Sequence, residues 1–270
     1  MKTILIAGGL DSMPAEETAT TIPKAMVDVG GRPLMTRLME VYAHFGHTDF
    51  IIAAGHQSVA IKQFFANYHL MANDVRVAID TGQVELHPIQ GAGWTVSIVD
   101  TGIYSTNSAR LCLLRKWIGT EPFMLAYADS LANLDVQEML EFHNSHGKLA
   151  TIAAVRPPAR AGNLELLDTR VTAFTRQVRR SDTWINGGFL ILEPAVFDYL
   201  LDDHAALEAG PLAQLAQDGE LMAYRHYGFW QPLDTVADRK LLAAHCTAEP
   251  PPWLRFEPRQ LAQAPTRAAE

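Results

Sequence analysis

Apolar residues fall along this chain in two alternating rhythms. Residues 2–7 (KTILIA), 49–54 (DFIIAA), 123–127 (FMLAY) and 150–155 (ATIAAV) are short runs, apolar at nearly every position. Runs of that length without turn residues predict strands buried on both faces. Between the first two, residues 32–46 carry Leu34, Leu38, Val41, Tyr42 and Phe45 at helical spacing, with Pro33 in the first turn and Gly46 as the stop. The same reasoning predicts helices over 59–68, 136–146 and 236–246, and one capped by Asn107 that carries Leu111, Leu114 and Trp117. Strands alternating with helices imply a mostly parallel sheet, since parallel neighbours need a crossover over a sheet face. Residues 75–99 break the alternation with RVAID, VELHP and TVSIV, separated by Gly82, Gly91 and Gly93, and predict a local excursion of antiparallel strands. Further strands are expected over 165–167, 171–174, 189–192 and 221–227.

Composition narrows the class. A chain of 270 residues that is 48% hydrophobic can bury a large core, and no linker interrupts it before a proline-rich stretch begins at Glu249. The expectation is one α/β domain over 1–248 and a tail over 249–270, partly wrapped on the surface or disordered. A formal net charge of -8 argues against nucleic-acid partners, which need a concentrated basic face. No charged-plus-apolar leader and no apolar run long enough to span a bilayer is seen, so a cytoplasmic protein without a membrane association is expected. Cys112 and Cys246 lie inside apolar helical patterns and read as free buried thiols.

Candidate chemistry gathers where predicted strands end. Gly8 and Gly9 follow the first strand and Lys24 follows Pro23. Glycines without Cβ atoms let a ligand meet the backbone, and a nearby lysine suits a phosphate; equally, the glycines serve only to fit a turn. The stretch matches neither a Walker A loop nor the dinucleotide fingerprint. Asp129 stands at the carboxyl end of a central strand, where open α/β sheets bind ligands. Asn186-Gly187-Gly188 offers close approach to a sugar or a β-bulge, and Arg176, Arg179 and Arg180 either a phosphate clamp or a solvated basic surface. His143 and His146 share one helical face without a third metal ligand at a suitable spacing and read as a solvated surface, while His226 reads as packed. No serine-nucleophile elbow is present.

Several segments, in order, resemble the sugar-1-phosphate nucleotidylyltransferases and, among them, the glucose-1-phosphate cytidylyltransferases: Ala7-Gly8-Gly9-Leu10, Glu16-Glu17-Thr18, Pro23-Lys24 with Met26, Val29-Gly30-Gly31-Arg32-Pro33, Phe64-Phe65-Ala66-Asn67-Tyr68, Val99-Asp100-Thr101-Gly102, Asn186-Gly187-Gly188-Phe189 and residues 228–235 (GFWQPLDT). The resemblance implies a Rossmann-like, mainly parallel twisted sheet with flanking helices and a small antiparallel excursion, of the GT-A-like kind. It implies attack of a sugar phosphate oxygen on the α-phosphate of a nucleoside triphosphate, with Mg²⁺ and loss of pyrophosphate. Carried over by position, it implies Lys24 at the α-phosphate and Asp129 and Asp234 as metal ligands. Gly8, Gly9, Leu10, Arg110 and Asp129 are implied on the nucleotide, and Asn186, Gly187, Arg176 and Gln177 on the sugar phosphate. Self-association is also implied, with the aromatic stretch at 64–68 and the Trp230 region as apolar surface beyond one core's needs.

The departures are concentrated. Where the family reads Gly-Gly-x-Gly-Thr-Arg-Leu, this chain has Asp11 in place of a glycine and Met13 in place of the arginine. The family's Lys-Pro-Lys-Pro-Met becomes Ile22-Pro23-Lys24-Ala25-Met26, Gly-Gly-Arg becomes Ser108-Ala109-Arg110, Gly-Asp-Gly becomes Ala128-Asp129-Ser130, and Glu-Lys-Pro becomes Arg176-Gln177-Val178. Three readings follow: a cytidylyltransferase with an altered loop, a relative turned to another substrate or reaction, or a non-catalytic regulatory or assembly homologue that binds a nucleotide or sugar phosphate. Retention of Lys24, Asp129 and Asp234 favours chemistry, and the expectation is a nucleotidylyltransferase-like protein diverged in substrate or reaction.

Overall fold

The computed structural model describes residues 1–8, 22–87, 93–157, 163–167, 170–175, 183–200 and 205–256. Its centre is strand β1 (Thr3–Ala7), every residue of which is buried. Strands β2 (Asp49–Ala54) and β6 (Phe123–Tyr127) pair with it in parallel, one on each side. Together with β5 (Thr95–Asp100), β8 (Ala150–Val155), β11 (Ile185–Leu192) and β12 (Leu221–Arg225) they form a seven-stranded sheet in the order β12-β8-β11-β6-β1-β2-β5. β11 runs antiparallel to both of its neighbours, whereas the other pairings are parallel. The mostly parallel α/β architecture expected from the sequence is the observed one.

Period-two alternation sorts the sheet's side chains into two cores. Leu5, Ala7, Phe50, Ile52, Met124 and Ala126 belong to one apolar cluster, which helices α1 (Leu34–His44) and α5 (Val136–His146) cover with Leu34, Leu38, Tyr42 and Met139. Ile4, Ile6, Ile51, Ala53 and Leu125 belong to the other, covered by α4 (Asn107–Ile118) through Leu111, Leu114 and Ile118 and by α6 (Pro211–Gln217) through Leu212 and Leu215. After α7 (Val236–His245) the chain makes a 3-10 turn, Pro252–Leu254, that inserts the fully buried Trp253 into the first core. The start of the proline-rich tail is thus part of the packing, while residues 257–270 lie outside the described residues.

Four local expectations are corrected. The excursion is a single hairpin, β3 (Asp74–Ala78) with β4 (Gln83–His87); the third run, β5, instead joins the main sheet parallel to β2. A run with one apolar face looks alike on an edge strand and in a hairpin, so sequence could not separate them. The helix expected over 59–68 is α2 (Ser58–Ala66) followed by a short α3 (Tyr68–Ala72), divided at Asn67, whose side-chain amide donates to the Gln63 carbonyl at 2.8 Å. The cap of α4 is Thr106, whose hydroxyl accepts from Ala109 N at 3.1 Å, and Asn107 is the first helical residue. His143 is not solvated: it is 2% exposed, with Nδ1 2.8 Å from Thr151 Oγ1. His226 is buried, as expected.

His146 yields a pH prediction. Its Nδ1 accepts from Lys148 N at 2.9 Å, a bond that only an unprotonated nitrogen can make. Desolvation, then the neighbouring His143 and Lys148, hold its pKa below the ordinary value, and desolvation does the same to His47 and His245. Folded-state values below the unfolded value mean that the unfolded chain takes up protons first. The stability these groups contribute is full above about pH 6.5 and is lost as pH falls below it. Thermal unfolding at about pH 5.5 is therefore expected at a lower Tm than at about pH 7.5. His146→Gln should flatten that dependence, and an unchanged slope in the variant would remove His146 from the account.

Candidate active site

Two short elements bring the carboxylates together. β7 (Ser130–Ala132) and β13 (Trp230–Pro232) form an antiparallel ribbon in which Pro232 pairs with Ser130. The next hydrogen bond, Leu233 N to Asp129 O at 2.8 Å, extends the ribbon and sets Asp234 beside the end of β6. Asp234 directly precedes Thr235, the N-cap of α7, which closes a reciprocal capping box with Asp238. Asp238 also accepts from Asp234 N at 3.1 Å and from the Gln231 amide at 2.9 Å, so the backbone carrying Asp234 is fixed from both sides.

Lys24 meets this pair from the other direction. It opens a 3-10 turn, Lys24–Met26, behind Pro23, and only 7% of its surface is exposed. Its Nζ donates to Asp234 Oδ1 at 2.7 Å and lies 3.7 Å from Asp129 Oδ2. The three residues singled out in the sequence converge on one point although 210 positions separate Lys24 from Asp234. Burial, reinforced by Asp234, raises the Asp129 pKa above the ordinary carboxylate value, and Lys24 opposes that rise. A cation close to both carboxylates is therefore favoured electrostatically.

Lys24 and Asp129 line a cavity of about 490 Å³ together with Gly8, the wall formed by residues 103–107, Tyr127 and Glu208. Sequence reasoning missed most of this wall. Tyr127 donates to Glu208 Oε1, and burial and that carboxylate push its phenol pKa well up. The only signal for Tyr127 was its place at the end of a strand two residues before Asp129; Glu208 lies in a connection with no pattern of its own. Tyr104, at the lip, is 87% exposed.

The other expected residues divide into three groups. Gly8 lines the cavity, and it also has a packing reason to be glycine: a Cβ there would lie 2.4 Å from Gly55 N. Arg110 does not itself line the cavity but lies directly behind its wall. It is fully buried, donating to Thr101 Oγ1, to Ala54 O at 3.4 Å and to Ile103 O at 3.5 Å, so it props the 101–106 loop from behind. Asn186 and Gly187 stand outside the lining, at an irregular register of β11 on β8, with Asn186 Oδ1 accepting from Gly188 N at 2.8 Å and the Trp230 indole donating to Gly187 O at 2.9 Å. Gly9, Leu10, Asp11, Met13, Arg176, Gln177, Arg179 and Arg180 lie outside the described residues. Among the described residues no group of three His, Cys, Asp or Glu side chains is arranged to hold a metal ion.

The Gly8–Gly55–Arg110 stack is a tight spot with a measurable consequence. A Cβ on Gly55 would sit 2.6 Å from Arg110 Nη1 and 2.7 Å from Gly8 O, and neither the backbone nor a fully buried guanidinium can step aside. Gly55→Ala is expected to lower stability by about 1–3 kcal/mol in urea unfolding, the usual range for overpacking. A change below about 0.5 kcal/mol would mean that the turn relaxes freely.

Solved structures share this fold. HddC from Yersinia pseudotuberculosis, complexed with GMP-PN, superimposes with a TM-score of 0.64 at 19% identity over 90% of this chain and 98% of its own. A UDP-glucose pyrophosphorylase complexed with UDP-glucose gives 0.63 at 16% identity, over 91% of this chain and 98% of its own. The fold is that of the sugar nucleotidyltransferases. Sequence similarity goes further: glucose-1-phosphate cytidylyltransferase of Salmonella typhimurium is 39% identical over 258 residues, covering 95% of this chain and all of the relative. A probable glucose-1-phosphate cytidylyltransferase of Bacillus subtilis is 35% identical over 87% of this chain and 92% of its own. The chain belongs to the glucose-1-phosphate cytidylyltransferase family. No family model matches it.

Proposed function

We propose that this protein transfers a nucleotidyl group from CTP to a sugar 1-phosphate, releasing pyrophosphate, with the nucleotide held in the cavity beside Lys24. The observation that carries the reading is the near-buried Lys24 ammonium held between Asp129 and Asp234 at the cavity wall. The cavity volume, about 490 Å³, falls in the range of small-molecule sites. Lys24 neutralises the α-phosphate as charge develops on it, and Gly8 lets the nucleotide approach the end of β1. Arg110 and Thr101 hold the 103–107 wall at the base side.

Asp129 and Asp234 suit Mg²⁺, which commonly takes one or two protein carboxylates and completes its octahedron with water and substrate phosphates. Bound there, it would neutralise the triphosphate while Lys24 shifts from the carboxylates towards the α-phosphate. Residues 11, 13 and 177 are where any divergence in substrate preference is expected from the family resemblance. Two free thiols and the net charge of -8 support a cytoplasmic setting without nucleic-acid partners; among the described residues no helix is long and apolar enough to cross a membrane.

The test is pyrophosphate release from CTP and glucose 1-phosphate with Mg²⁺, against ATP, GTP and UTP as alternative donors. Release that requires both CTP and a sugar phosphate supports the reading, and absence of release with every donor removes it.

The same reading includes self-association. On the β3–β4 hairpin, Val75 is paired with Leu86 and Val77 with Val84, and all four are at least 42% exposed. A two-stranded hairpin is marginal in water, so an apolar cross-strand face of this kind calls for a cover, here a second copy of the chain. The aromatic stretch at 64–68 is less available, because Phe64, Phe65 and Tyr68 pack on one another and Tyr68 on Trp94. Light scattering should give a mass above that of the 29.8 kDa chain, and Val77→Lys with Val84→Glu should return it towards monomer.

A further inference from the structure

A second charged cluster lies along the same sheet edge as Lys24 and Asp129 but outside the cavity. In register, Asn186 pairs with Ala154 and Ala154 with Arg225, so these three form one row across β11, β8 and β12. Trp184 immediately precedes β11 and Arg156 immediately follows β8, next to that row. The side chains meet: the Arg156 guanidinium carbon is 4.7 Å and that of Arg225 is 5.8 Å from the centre of the Trp184 ring. Tyr227 closes edge-on against Trp184, with ring centres 5.3 Å apart, and is itself 62% exposed.

The electrostatics of this cluster are incomplete. Among the described residues neither Arg156 nor Arg225 has a carboxylate within ion-pair distance, in a chain whose acidic residues outnumber its basic ones. Arg156 Nε is buried with no hydrogen-bond partner among them. An indole orients two guanidinium groups but cannot neutralise them. Paired, planar donors without an ion-pair partner among the described residues match an oxyanion, which guanidinium binds through two parallel hydrogen bonds.

We propose that Arg156 and Arg225, oriented by Trp184, bind an anionic group on the sugar, so that this protein's acceptor is a sugar 1-phosphate carrying a second oxyanion, either a carboxylate or a second phosphate. The inference rests on the proposed function, taken with the place beside the sugar that the family resemblance implies for Asn186 and Gly187. Two strand spacings separate Asn186 from Arg225 in their shared row, roughly 10 Å, which is the reach from one edge of a hexose to a substituent on its far side.

The experiment is calorimetric titration of the full chain with glucose 1-phosphate, glucose 1,6-bisphosphate and glucuronic acid 1-phosphate, in the wild type, Arg225→Gln and Arg156→Gln, with CTP-dependent pyrophosphate release measured in parallel. Wild-type protein is expected to bind at least one doubly anionic sugar about tenfold or more tightly than glucose 1-phosphate, and each variant to lose most of that preference while binding glucose 1-phosphate unchanged. The bisphosphate and glucuronate arms decide which oxyanion is read. Arg225 is exposed, so its variant reports on binding without disturbing the fold even if Arg156→Gln unfolds. Equal binding of all three sugars, or a preference that survives in Arg225→Gln, overturns the inference. If CTP-dependent release with glucose 1-phosphate persists in that case, the proposed function stands without it.

Discussion

Lys24→Met is expected to lower the rate of nucleotidyl transfer by about 10²–10³-fold, the effect of removing one preorganised group that stabilises transition-state charge. The fold should hardly notice. Removing one partner of a fully buried ion pair costs about 3–5 kcal/mol, but Asp129 and Asp234 keep 39% and 44% of their side chains accessible, so water hydrates the carboxylates left behind. About 1 kcal/mol is the more fitting scale, a small shift in Tm. The contrast makes the substitution diagnostic, because a structural lysine would lose stability first and activity in proportion. Steady-state rates and Tm measured on the same preparation decide it, and wild-type turnover by Lys24→Met would end the catalytic assignment.

A gain of function is expected from Asp11→Gly combined with Met13→Arg. Both positions lie outside the described residues, and charge together with the family resemblance sets the expected effect. Asp11 is an anion three residues after Gly8 where the family resemblance expects a glycine, and Met13 stands where it expects an arginine. A unit charge at ~4 Å is worth about 4 kcal/mol at an effective dielectric near 20, and a charge-assisted arginine contact about 1.5–3 kcal/mol. Allowing for side chains that swing away, the double variant should bind CTP more tightly by roughly 3 kcal/mol, about 100-fold in Kd. CMP should gain much less, because it lacks the phosphates that the arginine would hold. Equal gains for CMP and CTP, or none for either, would show that the loop does not meet the triphosphate.

Much of this protein could be read from one dimension. Continuous apolar runs such as TILIA and DFIIAA demanded two-sided burial, and the helical spacing of Leu34, Leu38, Val41 and Tyr42 demanded a covering helix; together these led to a mostly parallel sheet before any contact was known. Lys24 and Asp129 stood out because one follows a rigid proline and the other a predicted strand, which is where side chains reach a cleft, whereas Asp234 was reached only through the family resemblance. Local rules determine such features, since a buried run or a strand end depends on a few neighbouring residues.

What the tertiary structure alone decided depended on partners distant in sequence. Whether 95–100 formed a third hairpin strand or an edge of the main sheet rested on β2, 46 positions away in register, and nothing in TVSIV records that choice. Arg110 sits in a helical pattern that says nothing of burial, yet Thr101 and the bare backbone of Gly55 leave it a buried slot behind the cavity wall. Glu208 became part of the cavity only by meeting Tyr127 across 81 positions. The stack of Arg156 and Arg225 on Trp184 exists because β8, β11 and β12 come into register at one sheet edge. Strand register is set by the summed packing of whole elements, so it is a property of the folded chain that no local stretch of sequence carries.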